Sequence, residues 1–246
     1  MLKDTTVLIT GCAGGIGIKI LEIFSKNNAN IIACVRNKSD EFEKLCAKLK
    51  SKYNNSITIY SFDLLDEINL SKNLDTILDS YSKIDVLVNS AGDVTNELYL
   101  MMSEEKLREI FEINFFAQSK IIKKVLKKMI ANKSGSIINL ASSSVFEANI
   151  GKSAYASSKA AMISLTEVIS REVGRSNVRI NVVSPGLTDT KMLKRSSSEE
   201  ILNKKVKEIS LKRIANPEEI ANVILFLASN LSSYITGQVI KVDGGL

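Results

Sequence analysis

A chain of 246 residues with 45% hydrophobic and 24% charged residues has the composition of an ordinary globular protein and the length of one α/β domain. The modest net charge of +6 fits an anionic ligand, an acidic partner protein or solubility alone, and no helix-turn-helix pattern or aromatic-studded basic strand indicates nucleic-acid binding. The three cysteines form no C-x-x-C pair, and signal-peptide and membrane-span patterns are missing, so we expect a cytoplasmic protein with reduced thiols and no bound metal.

Short β-branched runs alternate with longer segments of helical periodicity along the whole chain. The predicted strands are Thr6–Thr10, Asn30–Val35, Ile57–Ser61, Val86–Asn89, Ser136–Ala141, Arg179–Ser184 and Val239–Val242. The predicted helices are Ile16–Lys26, Asp40–Lys52, Glu67–Ser82, Glu104–Asn132, Ala154–Arg175 and Pro217–Ala228. Repeated β-α-β units with right-handed crossovers predict an α/β, single-domain Rossmann fold over residues 1–246, with a doubly wound parallel sheet of about seven strands.

A glycine-rich turn joins the first predicted strand to the first predicted helix. Gly11, Gly15 and Gly17 in T-G-C-A-G-G-I-G follow a variant of the dinucleotide-binding spacing, with Ile16 between the last two glycines. Glycine permits a positive φ and lets backbone N–H groups approach a pyrophosphate at the helix N-terminus. The position between a strand and a helix favours a dinucleotide site over a simple structural turn.

The end of the second predicted strand distinguishes between the two nicotinamide dinucleotides. Val35 and Arg36 stand there, where an NAD site usually places an acidic residue to hold the ribose hydroxyls. A carboxylate would repel a 2′-phosphate, whereas a guanidinium can pair with it through two hydrogen bonds. Arg36 therefore predicts NADP(H) as the cofactor, and the alternative is a surface arginine at a strand end.

The ends of the third and fourth strands supply further candidate cofactor contacts. Asp63, followed by Leu64, is placed to accept a hydrogen bond from the adenine amino group, and it could also cap a helix. Asn89 ends the fourth strand beside small residues. Ala91 and Gly92 would let the backbone pack closely on the cofactor.

Acid–base chemistry near neutral pH must use a side chain with a shifted pKa, because the chain contains no histidine. Tyr155 and Lys159 lie four residues apart on a predicted helix and so share one face. Of the six tyrosines, only Tyr155 has a lysine four positions on. Ser142 closes a predicted strand thirteen residues before Tyr155. The structural alternative is a helix pair in which the lysine reaches for solvent.

Together these motifs resemble the classical short-chain dehydrogenase/reductase family over essentially the whole chain. The matching segments are T-G-x-x-x-G-I-G, N-S-A-G, Asn114, Ser142, Tyr155-x-x-x-Lys159, Pro185-Gly186 and the terminal T-G-Q-V-I-K-V-D-G-G-L. Length, motif order and the spacing from Gly92 to Asn114 are most similar to the bacterial 3-oxoacyl-(acyl-carrier-protein) reductases. That subgroup commonly has N-N-A-G, and often a basic residue where this chain has Gly14, which leaves more of the phosphate recognition to Arg36.

The resemblance implies that the chain reduces a ketone with NADPH, in fatty acid biosynthesis if the substrate is a 3-oxoacyl thioester. It implies that Ser142 polarises the carbonyl and that Tyr155 donates the proton. Lys159 would lower the pKa of Tyr155 and hold the nicotinamide ribose, and Asn114 would anchor a water in a proton relay. The alternatives are another ketone, of polyketide, sugar-derived or cyclic type, and a non-catalytic NADP-binding regulator.

The resemblance also places the turn after the sixth strand, Pro185 and Gly186, against the nicotinamide. Thr188 and Thr190 could then bond its carboxamide or the pyrophosphate, and the alternative is a turn whose hydroxyls form local caps. The polar and basic stretch 189–210 is either a mobile helical insertion near the active site or a solvated surface excursion.

Partners follow from the same resemblance. The helices Glu104–Asn132 and Ala154–Arg175 resemble those that form a dimer bundle, which implies a homotetramer. The lysines of the segment 120–133 mark the wet side of an amphipathic helix. They form either a solvated face or a docking patch for an acyl carrier protein, with Lys133 and Arg175 nearest the expected entrance.

Overall fold

All seven predicted strands form one parallel sheet in the computed structural model, which describes residues 1–196 and 198–246. The strands are β1 (Thr6–Thr10), β2 (Asn30–Val35), β3 (Ile57–Ser61), β4 (Val86–Asn89), β5 (Gly135–Leu140), β6 (Val178–Pro185) and β7 (Val239–Val242). Their order is β3-β2-β1-β4-β5-β6-β7, and every neighbouring pair is parallel. The order reverses between β1 and β4, which opens a crevice at the carboxyl ends of these strands.

Helices cover both faces of this sheet. They are α1 (Gly15–Lys26), α2 (Asp40–Tyr53), α3 (Glu67–Ser80), α4 (Glu104–Phe111), α5 (Ala117–Ala131), α6 (Ser144–Glu147), α7 (Ser153–Val173), α8 (Lys191–Ser196), α9 (Glu199–Glu208) and α10 (Pro217–Ala228). One core cluster joins α1, α2 and α10 to the sheet, and a second joins α3, α5 and α7. Burial on both faces explains why the central strands have continuous apolar sequences. Among the described residues, none of the helices combines the length and the apolar character that crossing a membrane requires.

The predicted helix Glu104–Asn132 is wrong in one respect, because it is interrupted. A π-helical turn, Glu112–Phe116, separates α4 from α5. Such a turn adds a residue to the helical repeat without changing the apolar periodicity enough to be seen in the sequence. It re-aims the side chains within it, and Asn114 is one of them.

The predicted start of α10 is confirmed. Asn216 and Glu219 form a capping box, in which the Asn216 backbone N–H donates to the Glu219 carboxylate at 2.8 Å, and Pro217 occupies the first turn. The helical character expected between residues 189 and 210 is confirmed as well, since α8 and α9 lie there.

Candidate active site

The glycine turn after β1 is shaped by backbone contacts that leave no room for side chains. Gly11 has a φ of +70°, and a Cβ there would lie 2.7 Å from the Cα of Ala91. A Cβ on Gly17 would lie 2.1 Å from the carbonyl oxygen of Gly11. A Cβ on Gly15 would lie 2.7 Å from the side chain of Thr190. The turn therefore packs closely against the loop after β4 and against the segment after β6.

The start of α1 suits an anion. Its N-cap residue is Gly14, and within the described ranges no side chain caps the helix and no acidic residue occupies its first turn. The first backbone N–H groups of a helix lack partners within the helix, and the helix dipole favours negative charge there. The residues at this end thus fit the pyrophosphate of a dinucleotide.

Arg36 lies where the sequence predicts it, exposed directly after β2. In the described part of the chain its guanidinium forms no ion pair, so its donors are available to an external anion. The Ser61 hydroxyl at the end of β3 donates to the Arg36 carbonyl oxygen at 3.0 Å and holds the backbone in place. These features are those expected of a 2′-phosphate contact.

Three other predicted cofactor residues make local contacts in the structure. The Asp63 carboxylate accepts the N–H of Leu65 at 3.0 Å and closes a turn, whereas the cap of α3 is Asp66, so the helix-cap alternative for Asp63 is wrong. Leu64 packs in the core. Asn89 is 3% exposed and donates its amide to Asn139 at 2.8 Å. Their roles in cofactor binding stay predictions.

A polar clip that the sequence analysis missed holds the ends of β1 and β4 together. The Thr10 hydroxyl accepts the backbone N–H groups of Ser90 and Ala91, each at 3.1 Å. The Gln118 side chain donates to the Ala91 carbonyl oxygen at 3.2 Å. The role of Thr10 could have been predicted, because it is a polar residue at the carboxyl end of an otherwise apolar strand. The role of Gln118 could not, because a glutamine within an amphipathic helix is ordinary.

Two of the predicted catalytic side chains, Asn114 and Lys159, converge on Gly92. A Cβ on Gly92 would lie 3.0 Å from the Asn114 side-chain oxygen and 3.2 Å from the Lys159 ammonium. Lys159 is 4% exposed and donates to the Leu140 carbonyl oxygen at 2.8 Å. Burial lowers the pKa of Lys159 to about 8. The absence of a side chain at Gly92 is what lets the amide and the ammonium approach.

Asn114 links the loop after Gly92 to helix α7 from its place in the π-helical turn. Its side chain accepts the N–H of Asp93 and donates to the carbonyl oxygen of Asp93, both at 2.9 Å. It also donates to the Ser158 hydroxyl at 3.1 Å, which in turn donates to the Tyr155 carbonyl oxygen at 2.8 Å. Both donors of this amide and one lone pair of its oxygen are therefore used to fix the loop after Gly92 against α7.

The Ser142 hydroxyl lies near the buried Tyr155 phenol and accepts the backbone N–H of Ser144 at 3.2 Å. Burial raises the pKa of Tyr155, and the neighbouring Ser142 hydroxyl lowers it by less, so the net direction is upward. The expectation that Lys159 lowers the pKa of Tyr155 is not met in this structure. The physical reason is that burial dominates, while the Lys159 ammonium is directed to the Leu140 carbonyl.

The turn after β6 follows the alternative based on local caps. Gly186 leaves no room for a side chain, since a Cβ there would lie 2.7 Å from the Cα of Asp243. The Thr188 hydroxyl donates to the Gly186 carbonyl oxygen at 3.0 Å, and the Thr190 hydroxyl accepts a backbone N–H of α8 at 3.2 Å. Pro185 ends β6, and its carbonyl oxygen accepts a backbone N–H of the loop after Ser142.

Helices α8 and α9 contact loops that border the catalytic group. Arg195 on α8 pairs with Asp93 at 2.5 Å, and Asp93 directly follows Gly92. Lys205 on α9 pairs at 3.2 Å with Glu147, at the end of the short helix that follows Ser142. The segment predicted as either an active-site insertion or a surface excursion thus lies beside the active site.

Comparison with known proteins identifies the chain's relatives. A family model described as "Enoyl-(Acyl carrier protein) reductase" matches residues 11–246. The chain is 36% identical to the 3-oxoacyl-(acyl-carrier-protein) reductase FabG of Chlamydia muridarum (strain MoPn / Nigg), over 100% of this chain and 98% of the relative. It is 30% identical to the acetoacetyl-CoA reductase of Acinetobacter sp. (strain RA3849), over 100% of this chain and 99% of the relative.

A solved structure gives the same fold with a different substrate name. It is a putative NAD(P)-dependent gluconate 5-dehydrogenase from Beutenbergia cavernae with NADP bound at low occupancy. The two chains are 28% identical, superpose with a TM-score of 0.93, and cover 99% of this chain and 97% of that one. The relatives therefore agree on the fold and on oxidoreductase chemistry, and they differ in what they reduce or oxidise.

Proposed function

The chain belongs to the classical short-chain dehydrogenase/reductase family and is an oxidoreductase, and from this premise we propose that it reduces a 3-oxoacyl thioester to the 3-hydroxyacyl thioester with NADPH. The observation that carries the chemistry is the convergence of Asn114 and Lys159 on Gly92, with the Ser142 hydroxyl near the buried Tyr155 phenol. These four side chains are the candidates for proton transfer that the sequence predicts.

Two donors in this group can bind one carbonyl oxygen. The Ser142 hydroxyl lies near the Tyr155 phenol, so both can donate to the same substrate oxygen and stabilise the charge that develops on it. The raised pKa keeps Tyr155 protonated at neutral pH, which is the form that gives up a proton. NADPH, when bound, supplies the hydride. Asn114 holds the loop after Gly92, and the Lys159 ammonium lies beside Gly92, where it would border the nicotinamide ribose.

The preference for NADPH rests on Arg36 and on the start of α1. An exposed guanidinium without an ion pair in the described ranges, placed after β2, complements a 2′-phosphate. The uncapped start of α1 complements the pyrophosphate. The NADP bound to the structural relative supports the same choice.

The choice of a 3-oxoacyl thioester is supported by the relatives that match over the full length. One is a 3-oxoacyl-(acyl-carrier-protein) reductase and another is an acetoacetyl-CoA reductase. The second candidate is a sugar-derived ketone, which is favoured by the name of the structural relative. The hypothesis of a non-catalytic NADP-binding regulator is weakened because the chain retains Ser142, Tyr155 and Lys159.

The proposal includes a homotetramer that acts in the cytoplasm and binds an acyl carrier protein, which carries the substrate. Phe116 is 53% exposed on the helical segment that resembles a dimer bundle, and Val168 on α7 is 54% exposed. A groove of about 580 Å³ at Phe116 is lined by apolar and charged side chains, Tyr99, Glu104, Leu107, Arg108, Phe111, Glu112 and Phe116. Exposed apolar side chains on such a face support contact with a second copy. Lys133 and Arg175 are both exposed, as carrier-protein docking would require.

The test is turnover of acetoacetyl-CoA by the purified protein, followed as loss of NADPH absorbance. We expect wild-type turnover, and we expect Tyr155→Phe to lose about 10²–10⁴-fold in kcat because a positioned general acid is removed. NADPH binding by the variant, measured by fluorescence, should match that of the wild type. A wild-type protein that binds NADPH but reduces none of a panel of thioesters, keto sugars and cyclic ketones would instead be a regulator.

A further inference from the structure

Lys152 stands beside the catalytic tyrosine without an acidic partner. It directly precedes α7, and its ammonium nitrogen lies 5.6 Å from the centroid of the Tyr155 ring. The side chain is half-buried, and burial lowers its pKa. Across residues 1–196 and 198–246, no side chain or backbone group forms an ion pair or a hydrogen bond with this ammonium. Its three donors are therefore available to a ligand.

The backbone that carries Lys152 is fixed on several sides. Gly151 has a φ of +78°, and its carbonyl oxygen accepts the N–H of Glu97 at 3.0 Å. The Lys152 N–H donates to the Asn149 carbonyl oxygen at 3.2 Å, and its own carbonyl accepts the N–H of Ala156 at 2.7 Å. The backbone of Lys152 is thus fixed, and the ammonium can move only by rotation about the bonds of its side chain.

Two acidic residues that border the catalytic group, Glu147 and Asp93, are already engaged with other side chains. Glu147 accepts hydrogen bonds from Asn149 at 3.0 Å and from Lys205 at 3.2 Å. Asp93 pairs with Arg195 at 2.5 Å. Neither carboxylate neutralises Lys152. A cation that is partly withdrawn from water and has only an aromatic ring as its partner is unfavourable, and an acceptor oxygen on a bound ligand would reduce that cost.

We propose that Lys152 binds the second oxygen of the substrate, the thioester carbonyl oxygen of a 3-oxoacyl group, while Ser142 and Tyr155 bind the ketone oxygen that is reduced. The inference rests on the proposed function and adds a determinant of specificity to it. One methylene separates the two carbonyl groups of such a substrate, so one flexible lysine beside Tyr155 can reach the second oxygen. A ketone that lacks this oxygen leaves the ammonium unpaired, and a site with an unpaired buried polar group discriminates strongly against such a ligand.

The test compares Lys152→Met with the wild type on two CoA ligands, one with and one without the thioester carbonyl oxygen. Methionine keeps an unbranched side chain and removes the charge and all donors. The first ligand is acetoacetyl-CoA. The second is S-(3-oxobutyl)-CoA, a thioether that keeps the ketone and the whole CoA but lacks the thioester oxygen, measured as a competitive inhibitor. The matched control is Lys52→Met, because Lys52 lies 5.2 Å from the centroid of the Tyr53 ring at the end of α2, in the same kind of contact.

We expect Lys152→Met to raise the KM for acetoacetyl-CoA about tenfold to hundredfold, since a hydrogen bond from a charged donor is lost. The inhibition constant of the thioether and the dissociation constant of NADPH should change less than twofold, and Lys52→Met should change none of the three. Equal weakening of both CoA ligands would overturn the inference, because it would place Lys152 on the CoA or on the fold. An unchanged KM would overturn it as well. A wild type that does not reduce acetoacetyl-CoA would overturn the proposed function, and this inference with it.

Discussion

Replacing Gly92 with alanine perturbs the catalytic group by the smallest possible steric change. The added Cβ would lie 3.0 Å from the Asn114 side-chain oxygen and 3.2 Å from the Lys159 ammonium, so at least one of them must move by a few tenths of an ångström. Asn114 is held by hydrogen bonds to Asp93 and Ser158, whereas Lys159 is held by one hydrogen bond. We therefore expect Lys159 to move most.

The expected cost falls on kcat. Because a misplacement of ~1 Å can cost about 10²-fold in rate, a shift of a few tenths of an ångström predicts a loss of about threefold to tenfold in kcat. Steady-state kinetics with NADPH and acetoacetyl-CoA measure it, and thermal unfolding reports stability. Gly174→Ala is the matched control, since nothing lies within 4 Å of its added Cβ. The reasoning would be refuted by an unchanged kcat in Gly92→Ala, or by an equal loss in Gly174→Ala.

Two further predictions concern the cofactor and the buried lysine. Arg36→Ala should raise the KM for NADPH about tenfold to hundredfold and leave that for NADH nearly unchanged, because only NADPH carries the 2′-phosphate; equal effects would contradict the phosphate contact. Burial lowers the pKa of Lys159 from 10.5 to about 8, so the unfolded chain binds more protons than the folded one between these values. The cofactor-free wild type should therefore gain stability relative to Lys159→Met as pH rises from 8 to 10, measured by chemical denaturation, and a constant difference would argue against a buried ammonium.

The fold was predictable because the apolar runs report burial directly. All seven strands were found within two residues of their observed ends, since strands covered on both faces must be apolar throughout. The start of α10 was equally legible, because Asn216, Pro217 and Glu219 each act through local chemistry. Signals of this kind need no knowledge of the tertiary structure.

The π-helical turn at Asn114 and the partners of the predicted site residues were not predictable in the same way. The turn preserves the apolar pattern on either side of it, so periodicity cannot reveal it. The hydroxyls of Thr188 and Thr190 bond locally rather than toward the crevice, and their sequence positions allow either choice. Lys152 gave no signal, because a lysine before a helix is ordinary until its distance from Tyr155 is known. Such properties depend on contacts between distant segments.

Burial determines the charge state of the catalytic pair in a consistent way. It raises the pKa of Tyr155 and lowers that of Lys159, and both shifts favour the uncharged form. A neutral phenol near Ser142 is ready to donate a proton, whereas the reverse reaction needs the phenolate, which burial disfavours. Lys159, with a pKa of about 8, remains largely an ammonium at neutral pH and can still donate a hydrogen bond. These shifts fit the role proposed for Tyr155 as the proton donor to a bound carbonyl oxygen.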